Sequence, residues 1–207
     1  MGEIIANREN HLKTCPYIHE MNIDQIIDSI YPLPEESRSA LKKSIAEVSY
    51  SKGHLLFRAD KIEMNIYFIK KGIVRAYTHQ EENELTYWFG KEGQTVISMR
   101  SYVEGRKGYE NIELLEDSEL YVLKAKDLQK LFKEDIHIAN WGRKFAEQEL
   151  IIMEERFISR QLRTATERYK ELLNDDPGLI QRVQLGHIAS YLGITQVSLS
   201  RIRAEIR

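Results

Sequence analysis

Cysteine is almost missing from this sequence: Cys15 is the single one among 207 residues. A lone thiol excludes an intramolecular disulfide and any all-cysteine zinc or iron-sulfur site within one chain. Long apolar runs are missing as well. Segments such as Leu150 to Met153 fall far short of the roughly 20 residues that a membrane helix needs. The start, Met1 to Lys13, is polar and lacks the apolar stretch of a secretory leader. The expectation is a cytoplasmic protein. Also absent are a Gly-rich phosphate loop, a nucleophile elbow and any His/Glu pattern with metal-ligand spacing. Neither an enzyme nor a metal site is expected, and Asp175-Asp176 and Glu154-Glu155 read as a turn and a charged helix face.

An excess of charge of one sign is lacking too, since the formal net charge is -2, and this argues at first against a nucleic-acid partner. The distribution reverses the impression. From Phe157 onward eight basic residues (Arg160, Arg163, Arg168, Lys170, Arg182, Arg201, Arg203, Arg207) face five acidic ones, which leaves +3 there and -5 for the rest. With 42% apolar and 30% charged residues the chain has the composition of a soluble globular protein of one large or two small domains.

What is present is ordered along the chain. Residues 1–22 read as an N-terminal extension without clear periodicity. Ile23, Ile26, Ile27 and Ile30 recur at helical spacing up to Pro32 and Pro34, and Glu35 to Ile45 can form a second helix with Pro34 at its first turn. Eight short β-rich runs follow: Glu47–Tyr50, His54–Phe57, Asn65–Lys70, Ile73–His79, Leu85–Phe89, Thr95–Ser98, Tyr109–Leu115 and Glu119–Lys124. Turn signals such as Lys52-Gly53, Lys71-Gly72 and Glu116-Asp117 separate them. The expected class is α+β, with an antiparallel barrel or roll over residues 23–135 including its flanking helices.

From Ala125 the period becomes helical, with a short helix over Asp127–Phe132 and a long one over Ile136–Arg156. Ile138, Trp141, Phe145 and Ile152 form one stripe on the long helix, while Leu150 to Met153 are apolar all round the axis. A helix buried on two sides follows, packed on the roll and on the same helix of a second subunit. The alternative is a helix held between two domains of one chain. Residues 136–158 are assigned to this dimerisation helix and a hinge at Phe157–Ser159, with the stripe Ile138, Trp141, Phe145 and Ile152 as the dimer interface. Residues 159–207 form the last domain, beginning with a helix over Arg160–Asn174 that the Pro177-Gly178 turn stops.

The end of the chain carries the functional signal. In Gln184 to Arg207, Ile188, Ala189, Leu192, Ile194, Leu199 and Ile202 can close a small core, Gly193 suits a left-handed helix end, and Thr195 suits the N-cap of the next helix. Helix, glycine turn and capped helix make a helix-turn-helix. Its second helix turns Leu199 and Ile202 inward and leaves Gln196, Val197, Ser198, Ser200, Arg201 and Arg203 on outer or flanking faces. Arginine can grip guanine, glutamine can pair with adenine, an aliphatic group can touch a thymine methyl and hydroxyls can bind phosphate. The alternative is a helical hairpin with a solvated face.

Gly193-Ile-Thr-Gln-Val-Ser-Leu-Ser-Arg201-Ile202 resembles the Gly-x-x-Arg-Glu-Thr-Val-x-Arg-Ile signature of the catabolite activator (Crp/Fnr) family. Lys52 to Phe57, Tyr67 to Arg75 and Glu167 to Leu173 fall where that family has its roll strands and the helix after the dimer helix, so the resemblance spans about residues 23–207. It implies a cyclic-nucleotide-binding-like β-roll, a double-stranded β-helix, and a bacterial homodimer that binds a palindromic operator and works with RNA polymerase. Carried over by position, Gln196 and Val197 stand where the family often has Arg and Glu, Ser198 at a phosphate-binding hydroxyl and Arg201 at a base-reading arginine. Thr195, Ser200 and Arg203 complete the candidate DNA surface.

The family's cyclic-nucleotide binders hold ribose with a Phe-Gly-Glu segment and phosphate with an Arg-Ser or Arg-Thr pair. Here Ser98 or Met99 stands at the Glu position, Tyr109 and Glu110 at the Arg-Ser slot, and Met153-Glu154 where the long helix contacts adenine. With Arg100 beside them these residues form the candidate effector pocket. A phosphate facing Glu110 without its arginine is repelled, so an effector other than cyclic AMP is expected. Cys15 alone does not meet the needs of the oxygen-sensing branch, and His54 and His79 read as structural or exposed rather than haem ligands. The alternative function is a small-molecule-binding β-roll module that does not touch DNA.

Overall fold

A run that reads as continuously apolar, Ile66-Tyr67-Phe68-Ile69, has a simple cause in the structure: the strand that contains it is covered on both faces. In a computed structural model, which describes residues 20–80 and 83–206, Ile66 and Phe68 face a helical layer while Tyr67 and Ile69 face the inside of a β-roll. Side chains that alternate across a strand must all be apolar when neither face meets water.

The helical layer starts with α1 (Ile23–Ile30) and α2 (Glu35–Lys43). Asn22 and Gln25 form a reciprocal capping box at the start of α1, satisfying two amides that the first turn leaves free. Eight strands follow: β1 (Ile45–Tyr50), β2 (Leu55–Phe57), β3 (Asn65–Lys71), β4 (Val74–Gln80), β5 (Asn83–Gly90), β6 (Thr95–Val96), β7 (Asn111–Leu114) and β8 (Ser118–Lys124), with the short α3 (Met99–Glu104) after β6. They pair antiparallel as two four-stranded sheets in the orders β1-β8-β3-β6 and β2-β7-β4-β5. The expected barrel or roll is thus a roll of two sheets, with Phe57, Ile69, Val74, Val96, Leu114 and Leu120 among the residues between them. The sheets leave β5 at an edge, which matters below.

After β8 come α4 (Ala125–Glu134), the long α5 (Ile136–Leu162), α6 (Ala165–Asp175), α7 (Pro177–Arg182), α8 (Leu185–Leu192) and α9 (Gln196–Ile206). The long helix runs straight through the expected hinge at Phe157–Ser159. That stretch has neither proline nor glycine to break it. The effective stop lies beyond, where Thr164 caps α6 in a box with Glu167, so the connection falls at Arg163–Thr164. The proposed extension 1–22 lies almost wholly outside the described residues.

Of the α5 stripe assigned to a dimer, Ile138, Trp141 and Phe145 belong instead to the chain's own core, while Ile152 is half-buried and joins no core cluster. Ile138 is fully buried, Trp141 is 2% exposed, and both join Ile26, Ile27, Ile30, Leu41 and Phe68 in one cluster with Phe145 packed against it. The Trp141 indole N–H donates to the Ile27 carbonyl at 3.0 Å. The physical reason is that α1 and α2 carry an apolar face of their own and α5 is what covers it. Gly142 belongs to the same fit, since a Cβ there would fall 2.4 Å from the Phe132 ring of α4.

Candidate nucleic-acid interface

Four helices, α6 to α9, build the end of the described chain around one apolar cluster. In α8, Ile188, Ala189 and Leu192 are buried, and from α9 only Leu199 is fully so. Between them Gly193 adopts φ 68° with open space around it, so its backbone conformation rather than crowding explains the residue. Its N–H returns to the Ala189 and Ser190 carbonyls and the Ile194 N–H to Ala189, which closes the helix end. The Thr195 Oγ1 then accepts the Ser198 N–H at 3.1 Å, capping α9 as expected.

Of the seven candidate DNA residues, Gln196, Val197, Ser200 and Arg201 are exposed on the outer face of α9, with Val197 64% exposed. Thr195 is exposed at the cap, while Arg203 is half-buried on a flank. Ser198 is likewise half-buried on a flank, and its Oγ lies 3.0 Å from the Thr195 Oγ1. The Ser200 Oγ donates to the Gln196 carbonyl of its own helix.

The candidate effector residues come together only in part. Ser98 is buried and bonds Ser101, whose hydroxyl donates to the Arg106 carbonyl. A Cβ on Gly108 would fall 2.6 Å from the Ser98 Oγ and 3.0 Å from the Glu110 Oε1, so both side chains pack against Gly108. Burial, with the Glu110 charge adding to it, pushes the Tyr87 phenol above its ordinary range. Arg100 lies over the ring of Tyr109, another of these residues, at 4.5 Å. Met99 and Tyr109 are more than half exposed, as is Met153, and Glu154 is exposed next to it on α5.

Sequence reasoning missed a set of polar contacts within the roll, among the last helices and between the two. Arg182, the last residue of α7, donates to both oxygens of Glu92 at 3.0 and 2.6 Å and also to Glu116. Glu92 in turn accepts the Gly72 N–H at 2.9 Å. Burial pushes the Glu92 carboxyl up, but the Arg182 and Gly72 donors outweigh it and the net shift is downward. Arg75, only 2% exposed in β4, bonds Thr86, Glu84 and Glu113. Burial, then the Arg75 charge, lowers the pKa of His187 on α8. Arg168 donates to the Arg160 and Leu192 carbonyls, linking the end of α5 to the end of α8. A signal for these lay in isolated charged residues amid apolar ones, but a partner ninety positions away is not visible in a sequence.

Comparison with known proteins bears on both halves. Residues 47–135 match the model of the cyclic nucleotide-binding domain family. Among solved structures, FixK2 from Bradyrhizobium japonicum matches with a TM-score of 0.66 at 21% identity, over 78% of this chain and 84% of its own. A CooA mutant from Carboxydothermus hydrogenoformans matches at 0.65 and 18% identity, over 92% and 86%. A protein from Eubacterium rectale, described as a transcriptional regulator of the Crp/Fnr family, matches at 0.61 and 16%, over 84% and 85%. No curated protein matches the chain. The chain therefore carries a cyclic nucleotide-binding domain over residues 47–135, followed by helices, and shares its fold with these structures. Among the described residues no helix is long and apolar enough to cross a membrane.

Proposed function

We propose that this protein is a sequence-specific DNA-binding transcription regulator of the Crp/Fnr type, acting as a homodimer on a palindromic operator. The observation that carries the reading is the α8-turn-α9 unit, in which Gly193 and Thr195 set the crossing and α9 presents Gln196, Val197, Ser200 and Arg201 outward. Residues 165–206 are its reading domain, residues 23–135 its sensor, and α5 joins them. RNA polymerase is the expected further partner. The second subunit packs on the side of α5 opposite Trp141, where Ala146, Leu150, Met153 and Phe157 recur at four, three and four residues, the spacing of a coiled-coil seam. Leu150, Met153 and Phe157 there are 60 to 68% exposed.

The roll is read as responding to something other than cyclic AMP, because the Glu110 carboxylate packs against Gly108, as Ser98 does, in the segment where a phosphate would need a cation. Selection of bound sequences from random duplex DNA tests the reading. Enrichment of a palindrome with half-sites about one helical turn apart, equally with and without cyclic AMP, is the expected outcome. No enriched sequence under any condition would overturn it. Within the selected site, Arg201→Ala is expected to cost about 1 to 3 kcal/mol per contact and relax preference at one base pair per half-site. A binding titration over single-base variants of the site checks this, and unchanged selectivity would remove Arg201 from the reading surface.

A further inference from the structure

The last helices do not hang from α5 by a connection alone. They are fastened to one end of the roll at separate points. Arg182 sits between Glu92, in the β5–β6 turn, and Glu116, in the β7–β8 turn, and its side chain is only 20% exposed while that of Glu92 is 11% exposed. Through Glu92 it also reaches the Gly72 amide in the β3–β4 turn. One guanidinium thus gathers three turns of the roll. The fork geometry of arginine suits it to two carboxylates at once, which an ammonium could not hold in the same way.

At the other side of the contact, the Ser190 hydroxyl of α8 accepts the Thr86 N–H at 2.9 Å and donates to the Glu84 carbonyl at 2.6 Å. It completes hydrogen bonds that edge strand β5 would otherwise offer to water. Phe89 and Tyr191 meet between these points, ring centroids 5.4 Å apart, and Ile73 joins Val183 and Ile188 in the same apolar cluster. An interface fixed by a bidentate ion pair, a backbone-bonding hydroxyl and an aromatic contact leaves little freedom to swivel.

We propose that Arg182 and Ser190 are positioning residues that set the pose of the recognition helix against the roll, and so the spacing of half-sites that the dimer accepts. The proposal rests on the reading of α8 and α9 as a DNA reader. A rigid frame should bind its best half-site spacing about tenfold or more tightly than spacings one or two base pairs longer or shorter. Loosening the frame should flatten that preference without harming the reading surface itself.

The experiment compares the full chain with Arg182→Gln and with Ser190→Ala, which removes one hydroxyl and serves if the first variant does not fold. Affinities are measured for the selected operator, for operators with altered spacing and for a duplex bearing one half-site. The expected result is a spacing preference reduced to about threefold or less with single half-site affinity unchanged. Wild-type discrimination retained in the variants, or equal losses on all duplexes including the single half-site, would overturn the proposal while leaving the DNA-binding reading intact. Failure of the wild-type chain itself to select any DNA would overturn both.

Discussion

Leu150→Asp combined with Phe157→Asp is expected to turn the protein into a monomer that no longer holds its operator. Both side chains point away from the core of their own chain and are 68% and 65% exposed. They lie on the same side of α5, seven residues and therefore two turns apart. A second copy would cover two such residues from each subunit, and burying a Leu or Phe side chain contributes about 1.5 to 3 kcal/mol. Four side chains lost amount to about 6 kcal/mol or more, which is about four decades in the dimer dissociation constant. Burying the new carboxylates would cost more still. Sedimentation at micromolar concentration should show one chain in place of two, and operator affinity should fall together with dimerisation. The folded roll should be untouched, because neither residue contributes to a core cluster. A dimer that persisted in this variant would move the interface elsewhere.

Trp141→Ala is expected to be the most damaging single core substitution, lowering stability by about 3 to 5 kcal/mol. The indole lies edge-on to Phe68 and stacked over Phe145, each with ring centroids 6.3 Å apart, and it bridges α5 to α1 through the Ile27 carbonyl. Its removal opens a cavity where three elements meet. Trp141→Phe separates the causes: it keeps most of the packing and removes only the indole donor, while the Ile27 carbonyl still accepts the Tyr31 N–H at 3.1 Å, for an expected loss of about 0.5 to 1.5 kcal/mol. Urea unfolding of the two variants checks the order. Equal stability of wild type and Trp141→Ala would mean that α5 is not the cover of the helical layer.

These three residues also mark what the sequence could and could not reveal. That α5 is apolar on two sides is legible from Ile138 to Met153. Which side serves which partner is not, because the choice depends on α1 and α2, whose apolar faces arrive from a hundred residues upstream. The stripe containing Trp141, expected at the dimer interface, carries larger side chains than the side with Ala146 and Leu150. It does so because it belongs to a core. The roll was legible from its glycine turns and alternating runs, and the helix-turn-helix from Gly193 and Thr195, since each of these is a local requirement of backbone geometry. The break after α5 was misplaced by a few residues because the capping box of Thr164 and Glu167 went unused. Arg182, Glu92 and Glu116 were invisible as a group, since each alone looks like an ordinary surface charge.

The position of Ser190 has a consequence for how the molecule can be divided. Strand β5 ends its sheet, and part of its outer rim is satisfied only by a hydroxyl from α8. A sensor fragment cut before α6 would expose this rim together with Phe89 and Ile73, and an open strand with apolar neighbours is a template for pairing with other chains. Such a fragment should self-associate in light scattering at concentrations where the full chain does not. The helices proposed to address DNA are in this sense also the guard that keeps the roll from growing into a larger sheet.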